Sequence, residues 1–234
     1  MNRAEWLLSF MSLPDLTIEK LHAEAAKFSR QESRHDEPSL FGVTDGKAIG
    51  TYLEQKFRRF LQTRYQFAAG NSANGIDFPE LLVDLKVTSI RQPQSSCPYR
   101  SARQKIYGLG YGLLVFVYDK TDDAKARTAQ LKIVHTVFVE AERTADFHTT
   151  RGLREILANE GNRDDVMAFL LDRNLPFDDL GVGVETLSKE IMDHPPEQGF
   201  LTISNALQWR LQYARVIEKA GQESGVHAVY RWQA

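Results

Sequence analysis

The sequence predicts an α/β protein with a central mixed β-sheet flanked by helices and a helical C-terminal part. Three observations carry this reading. Residues 81–89 (LLVDLKVTS) alternate with period two, which is the pattern of a strand with two unlike faces. Residues 111–118 (YGLLVFVY) and 131–140 (LKIVHTVFVE) are apolar and rich in β-branched and aromatic residues, as buried strands are. Helical spacing of apolar residues precedes this block and dominates the chain after Thr150.

Each element has its own signal. Leu16, Leu21, Ala25 and Phe28 make a helix of Pro14–Ser29, and the polar stretch Arg30–Ser39 reads as a loop. A stronger helix begins at Thr44 or Asp45, either of which can cap it. Its apolar stripe is Ile49, Leu53, Phe57 and Phe60. The turn-rich Ala68–Gly75 ends that unit. In the strand Leu81–Ser89, the set Leu81, Val83, Leu85 and Val87 faces a core, and Leu82, Asp84, Lys86 and Thr88 face the other way. Gln92–Cys97 reads as loop, and Pro98 as the first turn of a helix running to about Tyr107, stopped by Gly108. The segment Gly108–Gly112 lacks the spacing of a nucleotide-binding loop and leads into the strand Tyr111–Tyr118. Asp119–Arg127 is a charged turn before the strand Leu131–Glu140. Arg151–Asn159, Arg163–Arg173, Val184–Asp193 and Ser204–Ala220 read as helices, and Gly225–Trp232 as a short edge strand.

The 234 residues suit one domain, 1–234, with an α/β core at 40–145 and a helical region at 150–225. A composition 42 % apolar and 26 % charged excludes wholesale disorder. The single Cys97 excludes an internal disulfide framework and a cysteine-based zinc cluster. No apolar run reaches the roughly 18 residues of a membrane-spanning helix, and Met1–Ser12 makes no convincing signal peptide, so a cytoplasmic protein is expected. The six histidines show no ligand spacing, which disfavours zinc hydrolases.

The net charge of −2 conceals a gradient. Between Gln55 and Tyr118 nine basic residues face three acids, a local +6, which leaves −8 on the remaining 170 residues. A basic block around an acidic centre is what a metal-dependent nuclease needs: cations for the phosphate backbone, carboxylates for the metal. A merely solvated basic face gives the same count.

The acidic centre is GIDFPELLVDLKVTS, residues 75–89. Asp84 and Lys86 are two apart on a strand and share a face, and Asp77 can fold back beside Asp84 through the Phe78–Pro79 bend. Two such carboxylates repel unless a cation lies between them. Their hard oxygens suit Mg²⁺, and a neighbouring carbonyl such as that of Leu85 can complete the shell. Lys86 then points at the attacking water or the scissile phosphate. An exposed Asp84–Lys86 ion pair is the plain alternative.

These 15 residues resemble the catalytic core of the PD-(D/E)xK nuclease superfamily, the home of type II restriction endonucleases. The six-residue gap between Asp77 and Asp84 also matches the spacing in the mismatch-repair nicking endonuclease MutH. The chain departs from the pattern at Ile76, which stands where the proline would be, and carries Asp84 where Glu is also allowed. The resemblance implies a restriction-endonuclease-like fold, Asp77 and Asp84 as metal ligands, Lys86 as the residue that assists hydrolysis, and Mg²⁺ as cofactor. It also points to Glu54 as a further acid on the preceding helix, whereas its other reading is an i, i+4 pair with Arg58. Further implications are double-stranded DNA as substrate, a homodimer to cut both strands of a palindrome, a cognate DNA methyltransferase as functional partner, and a prokaryotic cytoplasmic setting. A strand-nicking repair nuclease or resolvase, and a non-catalytic DNA-binding protein, are the alternatives.

Two segments are candidate DNA contacts. Ser95, Ser96, Arg100, Arg103 and Lys105 follow the catalytic strand in a run without acids. On the expected helix from Ser204, Asn205, Gln208, Gln212 and Arg215 fall on one face and are residue types that read base edges, although a solvated helix face has the same pattern.

Overall fold

The computed structural model describes residues 13–68, 70, 75–173, 175, 183–203 and 210–233. The chain forms two compact units, one of Met1–Arg91, Val115–Thr136 and Val229–Ala234, the other of Gln92–Leu114 and Val137–Ala228.

The first unit begins with helix α1 (Ile18–Glu32), capped by the Thr17 hydroxyl. Strand β1 (Asp36–Glu37) and a 3₁₀ turn at Pro38–Leu40 follow, where a loop was expected. Helix α2 (Gly46–Gln62) starts as predicted, with the Asp45 carboxylate accepting the amides of Lys47 and Ala48. Its buried face is Ile49, Leu53, Phe57 and Leu61. Leu61, expected only to flank the stripe, is fully buried, while Phe60 is half-buried against Phe28 and Phe57.

Strand β2 (Val83–Ser89) begins two residues later than expected, after a 3₁₀ turn at Pro79–Leu81. Strands β4 (Gly112–Asp123) and β5 (Thr128–Val139) run longer than their apolar cores, and the turn between them shrinks to residues 124–127. The mixed sheet has the order β1-β5-β4-β2, with β8 (Val226–Arg231) also pairing β5.

An aromatic cluster fills this unit. Phe57 of α2 lies 5.0 Å from both Phe28 of α1 and Phe116 of β4, ring centre to ring centre. Edge-on pairs of this kind add about 0.5–1.5 kcal/mol each beyond their buried area. Two buried hydroxyls at the C-terminal end of α1 are bonded across the unit: Ser29 shares a hydrogen bond of 2.7 Å with Thr136, and the capping Ser33 accepts the Ile133 amide at 2.9 Å.

In the second unit, strand β3 (Gln94–Ser96) replaces the expected loop. The helix expected from Pro98 starts at Ala102, capped by Ser101, and this α3 (Ala102–Tyr107) ends at Gly108 as anticipated. Helices α5 (Arg163–Asp172) and α6 (Val184–Asp193) match the predicted ones closely, while α4 (Phe147–Ala158) begins four residues earlier than expected, at the cap formed by Asp146. They pack with α3 around Ile106, Leu153, Val166, Leu170, Leu187 and Ile191. Of the helix expected over Ser204–Ala220, residues 204–209 lie outside the described residues, and the rest is not one helix. Arg210–Gln212 is strand β7, and only Ala214–Lys219 is helical, as α7. The strand wins because β7 pairs antiparallel with both β3 and β6 (Thr202–Ile203), which satisfies backbone groups that a helix would satisfy internally.

Candidate active site

The loop between Asp77 and Asp84 decides the geometry of the site. Phe78 and Val83 form an antiparallel bridge, their amides and carbonyls joined at 2.9 and 3.2 Å. Pro79–Leu81 turns the chain, and Leu82 closes the turn in the left-handed region, at φ 51°. With residue 78 opposite 83, residue 77 comes opposite 84. The side chain of Phe78 is 2 % exposed and seats the loop among Phe57 and Phe67.

The two carboxylates meet at one backbone amide. The Leu85 N–H donates to Asp77 Oδ2 at 2.9 Å and to Asp84 Oδ1 at 3.1 Å. The outer oxygens are held by cations: Arg58 lies 2.5 Å from Asp77 Oδ1, and the Lys86 ammonium 2.6 Å from Asp84 Oδ2. The period-two alternation therefore puts Asp84 and Lys86 on one face, but that face is not open to solvent, since Asp84 is 3 % exposed. Burial pushes the Asp84 carboxyl up to about 6, an effect that Lys86 opposes and that the hydrogen bond with Asp77 reinforces.

Glu54 and Arg58 stand one turn apart on α2. Arg58 does not take the i, i+4 pair with Glu54 that the sequence allows, and pairs with Asp77 instead. Glu54 feels the site: burial raises its carboxyl to about 7, with Asp77 and Asp84 adding to the rise and Lys86 and Arg58 opposing it. The pairing of Arg58 with Asp77 was missed from sequence, which offered Arg58 only as a cation of the basic block or as the i, i+4 partner of Glu54. Its spacing from Glu54 was the available signal.

A divalent cation fits the chemistry of these donors. They are hard oxygens that crowd negative charge, and burial first of all raises the carboxyls of Glu54 and Asp84. Among the described residues no three His, Cys, Asp or Glu side chains form a ready cage.

The candidate DNA contacts are dispersed. Ser96 and Arg100 are exposed. Ser95 hydrogen-bonds Tyr213 at 2.6 Å, and Arg103 forks onto Glu190. Lys105 is 2 % exposed, with Asp146 among the charges around it, and is not a surface cation. Asn205 and Gln208 lie outside the described residues. Gln212 sits exposed on β7 and Arg215 on α7, so these two do not share one helix face.

The mixed sheet flanked by helices is consistent with a restriction-endonuclease-like fold. The comparison of whole sequences is more specific. Residues 15–228 match the family model described as Type II restriction enzyme NspV. The chain is 68 % identical over 216 residues to the Type II restriction enzyme NspV of Nostoc sp. (strain ATCC 29411 / PCC 7524), covering 92 % of this chain and 97 % of that one. No solved structure matches the chain. The chain belongs to the NspV family of type II restriction enzymes. Neither the nicking nor the non-catalytic alternative gains support from these matches.

Proposed function

We propose that hydrolysis takes place at the carboxylate–lysine site of the first unit, with Mg²⁺ held by Asp77 and Asp84. The enzyme is a site-specific deoxyribonuclease that cuts phosphodiester bonds of DNA, and metal dependence is general in its class. The observation that carries the assignment of the site is the single Leu85 amide shared by the buried Asp84 carboxylate and the half-buried Asp77 carboxylate across the turn. Bound Mg²⁺ would supply charge neutralisation at the scissile phosphate and a lowered pKa of water. The Leu85 carbonyl is the backbone oxygen assigned to the remaining shell.

The chain's own residues divide the other tasks. Lys86 holds the attacking water or a phosphate oxygen and places a positive charge where negative charge develops. Arg58 is a positioning residue that fixes Asp77. Glu54 joins from α2 as the third acid. Ser96, Arg100, Arg103 and Gln212, all exposed, are the proposed contacts to DNA. Cutting both strands of a palindrome calls for a homodimer, and protection of the host genome calls for a cognate DNA methyltransferase.

The test is plasmid cleavage with Mg²⁺. Wild-type protein is expected to give discrete linear fragments, and Lys86→Ala to lose at least roughly 100-fold in rate while still binding the duplex. Undiminished cleavage by Lys86→Ala removes this lysine, and the site built around it, from the mechanism.

A further inference from the structure

The second unit contains a cleft of about 560 Å³ lined by three cations, Arg143, Arg215 and Lys219. Two of them are fixed by aromatic rings. The Arg215 guanidinium lies 3.6 Å from the centre of the Phe147 ring, and that of Arg143 lies 5.9 Å from Phe200. The two rings are themselves in contact, 6.4 Å apart. Backbone bonds hold both: the Phe147 amide donates to Leu201 at 2.7 Å, and the Phe200 amide to Arg143 at 2.9 Å. The chain of contacts Arg215–Phe147–Phe200–Arg143 therefore presents two guanidinium groups in set orientations.

Their partners are unequal. Arg143 is paired with Glu197 at 3.0 Å and donates to the Gln198 carbonyl at 3.2 Å. Lys219 has Glu218 at 3.7 Å, but that carboxylate is 70 % exposed. Arg215 has no ion pair among the described residues, and its Nε–H is buried without an acceptor. A permanently charged group partly removed from water, with an orphan donor, calls for an oxyanion. The guanidinium edge matches phosphate geometry, and the stacked ring has already restricted its rotamers. The acids of the cleft, Glu218 and Glu223, are exposed and belong to its rim.

We propose that this cleft is a phosphate-binding site anchored by Arg215, with Lys219 as second cation. The chemistry fits a phosphodiester of the DNA backbone or a free phosphate. The inference rests on DNA being the substrate, and not on the carboxylate–lysine site.

The experiment measures binding of a 20-base-pair duplex at several salt concentrations, in EDTA so that no cleavage occurs. Arg215→Met keeps the aliphatic stem on Phe147 and removes the charge. A duplex phosphate in the cleft predicts roughly tenfold weaker binding and a slope of log K against log salt shallower by about 0.9. Lys219→Met, at a position one-third exposed, tests the same site if Arg215→Met fails to fold, and the same shallower slope is expected. Calorimetry with inorganic phosphate separates the sources. Heat of binding seen with wild type and lost in the variant, with an unchanged DNA slope, assigns the cleft to free phosphate. An unchanged slope together with no phosphate heat overturns the proposal. A failure of Lys86→Ala to affect cleavage has no bearing on these readouts.

Discussion

Gly108→Ala tests how tightly the sequence constrains the second unit. Gly108 ends α3 with φ 89° and ψ 177°, a region essentially reserved for glycine. A Cβ built there falls 2.2 Å from the Ala141 carbonyl oxygen and 2.9 Å from Thr144 Oγ1. The hydroxyl cannot simply swing away, because it accepts the Leu109 amide at 2.8 Å and donates to the same Ala141 oxygen at 2.5 Å. Three contributions set the magnitude. Backbone strain costs about 1–3 kcal/mol. Displacing backbone to admit the methyl costs about 1–3 kcal/mol more. The lower freedom of alanine in the unfolded chain offsets about 0.4–1 kcal/mol. The expected loss is about 3 kcal/mol, which corresponds to a fall in Tm of roughly 6–12 °C for a chain of this size. Gly110→Ala is the control. Its φ is 82°, but its Cβ would meet nothing within 4 Å, so it carries the strain alone. Scanning calorimetry on both variants separates the clash from the strain. Equal shifts for the two would refute the role of the Ala141–Thr144 contact, and a Gly108→Ala shift under about 2 °C would refute the whole estimate.

The acid limb of stability is expected to depend on Glu37. Burial raises its carboxyl, but hydrogen bonds from Ser39, Tyr52 and His35 outweigh this and bring it down to about 2 from an ordinary 4.5. A depressed folded value stabilises the fold above the ordinary pKa, and that stability is lost as pH falls from about 4.5 towards 2. Urea midpoints measured across that window should fall less steeply in Glu37→Gln, and parallel curves would exclude the effect. Phe78→Ala should cost about 3–5 kcal/mol, as full removal of a buried ring does. It should also lower cleavage at temperatures where the variant remains folded, because Phe78 anchors the loop that faces Asp77 to Asp84. Normal cleavage by folded Phe78→Ala would show that the loop holds its shape without the ring.

The site was more legible than its surroundings because its signals are local. Asp84-x-Lys86 on a strand and the gap to Asp77 both follow from strand periodicity and chain reach, and in the structure Asp77 and Asp84 share the Leu85 amide with Lys86 beside Asp84. Arg58 needed knowledge of which face of α2 meets β2, a tertiary fact. Strands β3 and β7 escaped for the same reason. Each is three residues long and exists because a partner distant in sequence pairs with it. The segment from Ser204 has helical spacing of its polar residues, but pairing of Arg210–Gln212 on both sides overrides it. Lys105 misled because a charged residue is seldom buried, and composition alone gives no sign of Asp146 nearby.

The amide of Leu85 has a consequence for how this centre can change. The contact that gathers Asp77 and Asp84 is made by main chain, and every amino acid except proline brings the same N–H to position 85. Codon changes there can alter the packing of the side chain beneath the site, yet they leave the clasp between the acids in place. Loss of this junction must come through the path of the backbone, by insertion, deletion or proline. Drift at the acids and at the lysine is thus separable from drift in the scaffold that holds them.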